Sequence, residues 1–77
     1  MIHELDEVIL ECDLPDYGLA RGDVGTVVLL HRDGTGFEVE FTTLDGETVA
    51  VVTLAAPQIR VARSGEIAHA RRLAHAA

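Results

Sequence analysis

Apolar and polar positions along this chain fall into short runs separated by turn-forming residues. Val8-Ile9-Leu10, flanked by Glu7 and Glu11, is rich in β-branched residues and predicts strand 1. Gly25-Thr26-Val27-Val28-Leu29-Leu30 predicts strand 2. Strand 3 is Phe37-Glu38-Val39-Glu40-Phe41, where alternation is strict: Phe37, Val39 and Phe41 face one side, Glu38 and Glu40 the other. Thr48-Val49-Ala50-Val51-Val52-Thr53-Leu54 predicts strand 4, apolar on both faces, and Ile59-Arg60-Val61-Ala62 strand 5. Asp33-Gly34 is a strong hairpin signal, because both residues tolerate positive φ. Leu44-Asp45-Gly46-Glu47 marks the next reversal, and Ala55-Ala56-Pro57-Gln58 reads as one helical turn.

Residues 12–23 contain Pro15, Gly18 and Gly22 and predict a long loop, a kind that tends to carry function or be disordered. After Ser64 and Gly65, helix formers dominate. Ile67, Ala70, Leu73, Ala74 and Ala77 share one helical stripe, with Ser64 as N-cap and Glu66 in the first turn. The reading is a mainly β domain over residues 1–62 and a C-terminal helical tail over 63–77. Five strands, two hairpins and a one-turn helix before the last strand have the connectivity of a small SH3-like barrel. The expected core is Val8, Leu10, Val27, Leu29, Phe37, Val39, Phe41, Val49, Val51, Leu54, Ile59 and Val61. In strand 4 the opposite phase, with Ala50 and Val52 inward, is the alternative; the tail helix or another chain would cover its outer face.

Charge sharpens this picture. The chain has 77 residues, with 13 acidic side chains against six basic ones, all Arg, and a formal charge of −7. Residues 1–62 hold 12 acids and three Arg, a charge of −9, and residues 63–77 hold three Arg and Glu66, a charge of +2. An acidic body argues against nucleic acid as a partner, since phosphate binding needs positive surface. A lone Cys12 cannot form an internal disulfide and reads as a reduced thiol. No apolar run approaches the roughly 18–20 residues of a membrane span, and the acidic start lacks the basic region of a signal peptide. The expectation is a cytoplasmic protein.

Several motifs occur in order: His3-Glu4-Leu5-Asp6-Glu7-Val8, Asp13-Leu14-Pro15, Gly22-Asp23-Val24-Gly25-Thr26-Val27-Val28, Phe37 to Phe41, and Asp45-Gly46-Glu47-Thr48. Together, over residues 2 to 62, they resemble a small bacterial family catalogued as domain of unknown function 4926. The Gly-Asp-Val-Gly-Thr-Val segment also resembles barrels of the nitrile hydratase β-subunit and of KOW-type ribosomal proteins, a motif that recurs across unrelated functions. Members of the uncharacterised family are similar to small proteins beside toxin-like genes. That resemblance implies an antitoxin or immunity role.

Candidate chemistry is sparse. Cys12 and the four His residues (His3, His31, His69, His75) form no nucleophile–base motif. His69 and His75, six apart, do not share a helical face as a metal pair would. Glu38 and Glu40 lie about 7 Å apart on one strand face, a spacing that suits paired carboxylates but equally a solvated face or an acidic docking face. Glu11, Asp13, Asp16 and Asp23 surround Tyr17 in the long loop. Turn chemistry explains Asp16 and Asp23; a partner surface anchored by Tyr17 is the functional reading. No Asp-x-Asp-x-Asp-Gly spacing supports calcium.

The leading expectation is a non-catalytic, acidic protein-interaction module with no cofactor. It presents Glu11, Asp13, Asp16, Tyr17, Asp23, Glu38 and Glu40 to a basic protein such as a nuclease-like toxin. An alternative is an accessory or regulatory barrel subunit of an enzyme, nitrile hydratase-like, acting by packing through strand 4 and the tail. Those two elements are also the route to a homo-oligomer. An enzyme in its own right has least support, because Gly22-Asp23-Val24-Gly25 lacks the Gly-Lys-Ser/Thr of a phosphate loop.

Overall fold

Five strands form in the order the polarity pattern sets: β1 (Glu7–Leu10), β2 (Val24–Leu30), β3 (Gly36–Thr42), β4 (Thr48–Ala55) and β5 (Ile59–Val61). The computed structural model describes residues 1–74. All pairings are antiparallel, and the strands make one sheet in the order β4-β3-β2-β1-β5. A single 3-10 turn, Ala56–Gln58, turns the chain from β4 into β5, where the one-turn helix was expected. Gln58 secures it by accepting the Ala55 N–H at Oε1, 2.8 Å away.

Two expectations are corrected. The sheet does not close into a barrel. Closure needs its two outermost strands to pair, but β5 spends its three residues on β1 and no ladder joins it to β4. Nor do the described residues contain a C-terminal helix: from residue 62 to residue 74 there are only turns and irregular backbone. A stripe made largely of alanine buries little and cannot offset helix nucleation. The end points of that stripe and of the His pair, Ala77 and His75, lie outside the described residues.

The core is Val8, Leu10, Leu19, Val27, Phe37, Val39, Phe41, Val52, Leu54 and Ile59, with Ile2, Leu14, Val49 and Ala50 packed against it. Register explains its departures from simple alternation. Val27 pairs with Val39 and Leu29 with Glu38, so Val28 is an extra residue in β2. This bulge turns Leu29 to the outer face, where it is 52% exposed. In β4, Phe41 pairs with Ala50 and Thr42 with Thr48, making Val49 the extra residue. Beyond that bulge Val52 and Leu54 point inward and Val51 outward, 51% exposed. Val61, also assigned to the core, sits exposed at the end of β5.

Candidate functional site

The loop between β1 and β2 is more ordered than its composition implies. Leu14 and Leu19 form a one-residue β-bridge around a 3-10 turn, Pro15–Tyr17. This closure carries Leu19 into the core. It leaves Asp16 and Tyr17 exposed at the tip, with Gly18 in the left-handed conformation that ends the turn.

The loop acids divide by partner. Asp13 Oδ1 accepts the Arg21 N–H at 2.8 Å, and Arg21 Nη1 donates to the Glu11 carbonyl at 3.3 Å. The Glu11 carboxylate faces Arg60 Nε at 3.4 Å. Asp23 Oδ2 accepts the Ala20 N–H at 2.8 Å while the Asp23 N–H donates to the Ala20 carbonyl. Asp13 and Asp23 therefore both perform turn chemistry.

Asp23 has a further partner, 48 residues away. Arg71 Nε donates to Oδ1 at 2.8 Å, Nη2 pairs with Oδ2, and Nη2 also donates to the Gly18 carbonyl at 3.0 Å. Partial burial pushes the Asp23 carboxyl up; the Arg71 hydrogen bond and charge and the Ala20 N–H outweigh it and hold the group below its ordinary value. A second ion pair brackets the start of the tail. Arg60 grips Glu66 through Nη1 at 2.8 Å and Nη2 at 2.6 Å, and Glu66 accepts the Arg63 N–H at 2.6 Å. The Arg60 hydrogen bonds and then the Arg63 N–H pull the Glu66 carboxyl down to about 2.

Glu38 and Glu40 stand apart from the loop on the outer face of β3. Glu38 accepts the Thr53 hydroxyl at 2.7 Å and lies 2.6 Å from His31 Nε2. These two hydrogen bonds, Thr53 first, hold its carboxyl below the usual range. Glu40 accepts the Thr48 hydroxyl at 2.7 Å. No hydrogen bond or ion pair among the described residues joins this pair to the loop acids, so the seven predicted residues make two surfaces.

Under the tail lies an open cleft of about 810 Å3, lined on the body side by residues that include Ile9, Leu19, Asp23, Val24 and Arg60. Sequence reasoning missed the cleft and its Arg71–Asp23 closure. The only signal was the opposite charge of body and tail. Cys12 is half-buried, and Gln58 Nε2 donates weakly to its sulfur at 3.8 Å. Among the described residues no three His, Cys, Asp or Glu side chains gather as metal ligands would, and no helix is long and apolar enough to cross a membrane.

One antiparallel sheet with an acid-lined loop and a tail strapped across it defines a small all-β domain of acidic surface. The chain belongs to the family described as Domain of unknown function (DUF4926), whose model matches residues 4–61. That match spans the five strands and stops at the end of β5, so the tail lies outside it. It carries the family alone, and not the likeness to nitrile hydratase or KOW-type barrels. No curated protein and no solved structure matches the chain.

Proposed function

We propose that this protein is a non-catalytic, acidic interaction module that binds a basic protein, in the manner of an antitoxin or immunity partner held against a basic toxin-like protein. One observation carries the reading. Among the described residues only Glu11, Asp23 and Glu66 have an arginine at ion-pair distance, and Asp6 and Glu38 a histidine, so eight of the 13 acidic side chains have no cationic partner there. A surface so uncompensated speeds encounter with a positive partner and selects against negative ones. Asp16 and Tyr17 at the loop tip are the exposed anchor, and a lone free cysteine favours the cytoplasm.

Replacing Asp16 by Lys, and Asp13 and Asp23 by Asn so that their caps on Arg21 and Ala20 are kept, tests this directly. Circular dichroism should stay native while partner capture is lost and salt weakens what the parent chain captures. Unchanged capture by the folded triple variant rules out the loop.

A second reading, an accessory subunit acting by packing, draws on exposed Leu29 and Val51 on the outer sheet face. Under it, Leu29→Glu with Val51→Glu abolishes association and the loop variant does not.

A further inference from the structure

Arg71 sits in a seat built for a guanidinium. Its planar fork meets both oxygens of Asp23 and the Gly18 carbonyl, the bidentate arrangement that distinguishes arginine from lysine. The seat is made entirely by the body. Asp23 is aimed by the Ala20 N–H, and its own carbonyl accepts the Leu10 N–H at 2.9 Å. The Gly18 carbonyl is placed by the end of the 3-10 turn, where the Gly18 N–H donates to the Pro15 carbonyl at 3.1 Å.

Beyond the Arg60–Glu66 pair at its start, the tail that delivers Arg71 has little else to hold it. Its backbone is irregular from residue 62 to residue 74, Ile67 is 93% exposed, and Leu73 alone between residues 62 and 74 is half-buried. It carries +2 against the −9 of the body. A short tether of this kind holds its end group at an effective concentration on the order of millimolar.

Resting on the acidic-module reading, we propose that the Asp23–Gly18 seat recognises an arginine in an extended basic segment of the partner protein, and that Arg71 occupies the seat as an internal competitor. The partner's arginine makes the same fork contacts once Arg71 leaves. The tail thereby lowers affinity for weakly basic segments and passes those that bring more charge.

The test uses the full chain and a fluorescent peptide with the sequence of residues 67–74, which carries two arginines, read by anisotropy at low salt. Arg71→Ala is expected to bind the peptide about fivefold or more tightly than the parent chain, because the tethered competitor is gone. Arg71→Gln, with a longer neutral side chain, repeats the measurement should the alanine variant fold poorly. Adding Asp23→Asn, which keeps the cap on Ala20 and removes the charge, should abolish the gain. Equal binding by parent and Arg71→Ala overturns the competition and leaves the acidic-module reading standing. A gain that survives Asp23→Asn overturns the seat. Binding by neither chain overturns the seat as a receptor for a basic segment, whereas the acidic-module reading fails only if the capture experiment fails.

Discussion

A side chain at Gly25 would occupy space already taken by the Phe41 ring. A Cβ there would lie 2.8 Å from Phe41 Cε1 and 2.6 Å from Val39 Cγ1. The second glycine of Gly-Asp-Val-Gly-Thr-Val is thus a packing requirement of the bent sheet, since β2 presses its backbone onto the largest core side chain. Gly25→Ala forces a buried ring and a β-branched residue to move, and overpacking of this kind costs about 1–3 kcal/mol. Urea unfolding should show a lower midpoint at unchanged slope. An unshifted midpoint contradicts the contact.

The two bulges make a paired prediction. Val27→Ala and Val52→Ala remove buried methyl groups and should each cost about 1.5–3 kcal/mol. Leu29→Thr and Val51→Thr, one or two positions away, should stay within about 0.5 kcal/mol of the parent, as exposed positions do. A reversed order of these costs would place the bulges elsewhere.

Leu5 has a φ of 72° and its side chain is 73% exposed. The turn holds it there: the Leu5 N–H donates to the Val27 carbonyl at 2.7 Å, and the His3 N–H to Asp6 Oδ2 at 2.8 Å. A left-handed conformation costs an L-residue roughly 1–2 kcal/mol, of which glycine recovers all but its extra unfolded-state entropy. Leu5→Gly should therefore raise stability by about 0.5–1 kcal/mol, measured by the same urea titration. Destabilisation would mean that the Leu5 side chain packs.

Acid should release the tail. Glu66, held by Arg60, has its carboxyl lowered from 4.5 to about 2, and Asp23, with Arg71 prevailing over partial burial, is also lowered. A depressed carboxyl contributes its full stabilisation above its unfolded value and loses it as pH falls through the folded one. Tail attachment is thus complete above about pH 4.5 and lost towards pH 2. The side-chain Nε–H resonances of Arg60 and Arg71 report it. Loosening on raising the pH from 5 to 7 would contradict the pairing.

Strict alternation and turn chemistry made the five strands legible, with ends within a residue or two of those observed. Phe37, Val39 and Phe41 announce their face because Glu38 and Glu40 intervene. Val28 and Val49 do not announce themselves as bulges, since an inserted apolar residue in an apolar strand leaves no compositional trace, yet it reverses every side chain beyond it. That is why simple alternation points Leu29 inward and leaves two phases open for β4, of which the structure has the one with Ala50 and Val52 inward. Leu19 was hidden in a segment rich in glycine, proline and aspartate, where only the Leu14–Leu19 bridge buries it. In the candidate site, Asp23 was readable as a turn former, but its Arg71 partner was not. Ion pairs between distant segments depend on where the tail runs, and alanine-rich helical periodicity pointed the tail another way.

Stoichiometric co-purification of the native chain from its own host, with mass spectrometry of the bound material and release by a salt gradient, bears most directly on the acidic-module account. The account predicts one basic protein in equimolar amount, released as salt rises and absent when Asp16 is replaced by Lys and Asp13 and Asp23 by Asn. An acidic or neutral partner retained at high salt and indifferent to those replacements would contradict it.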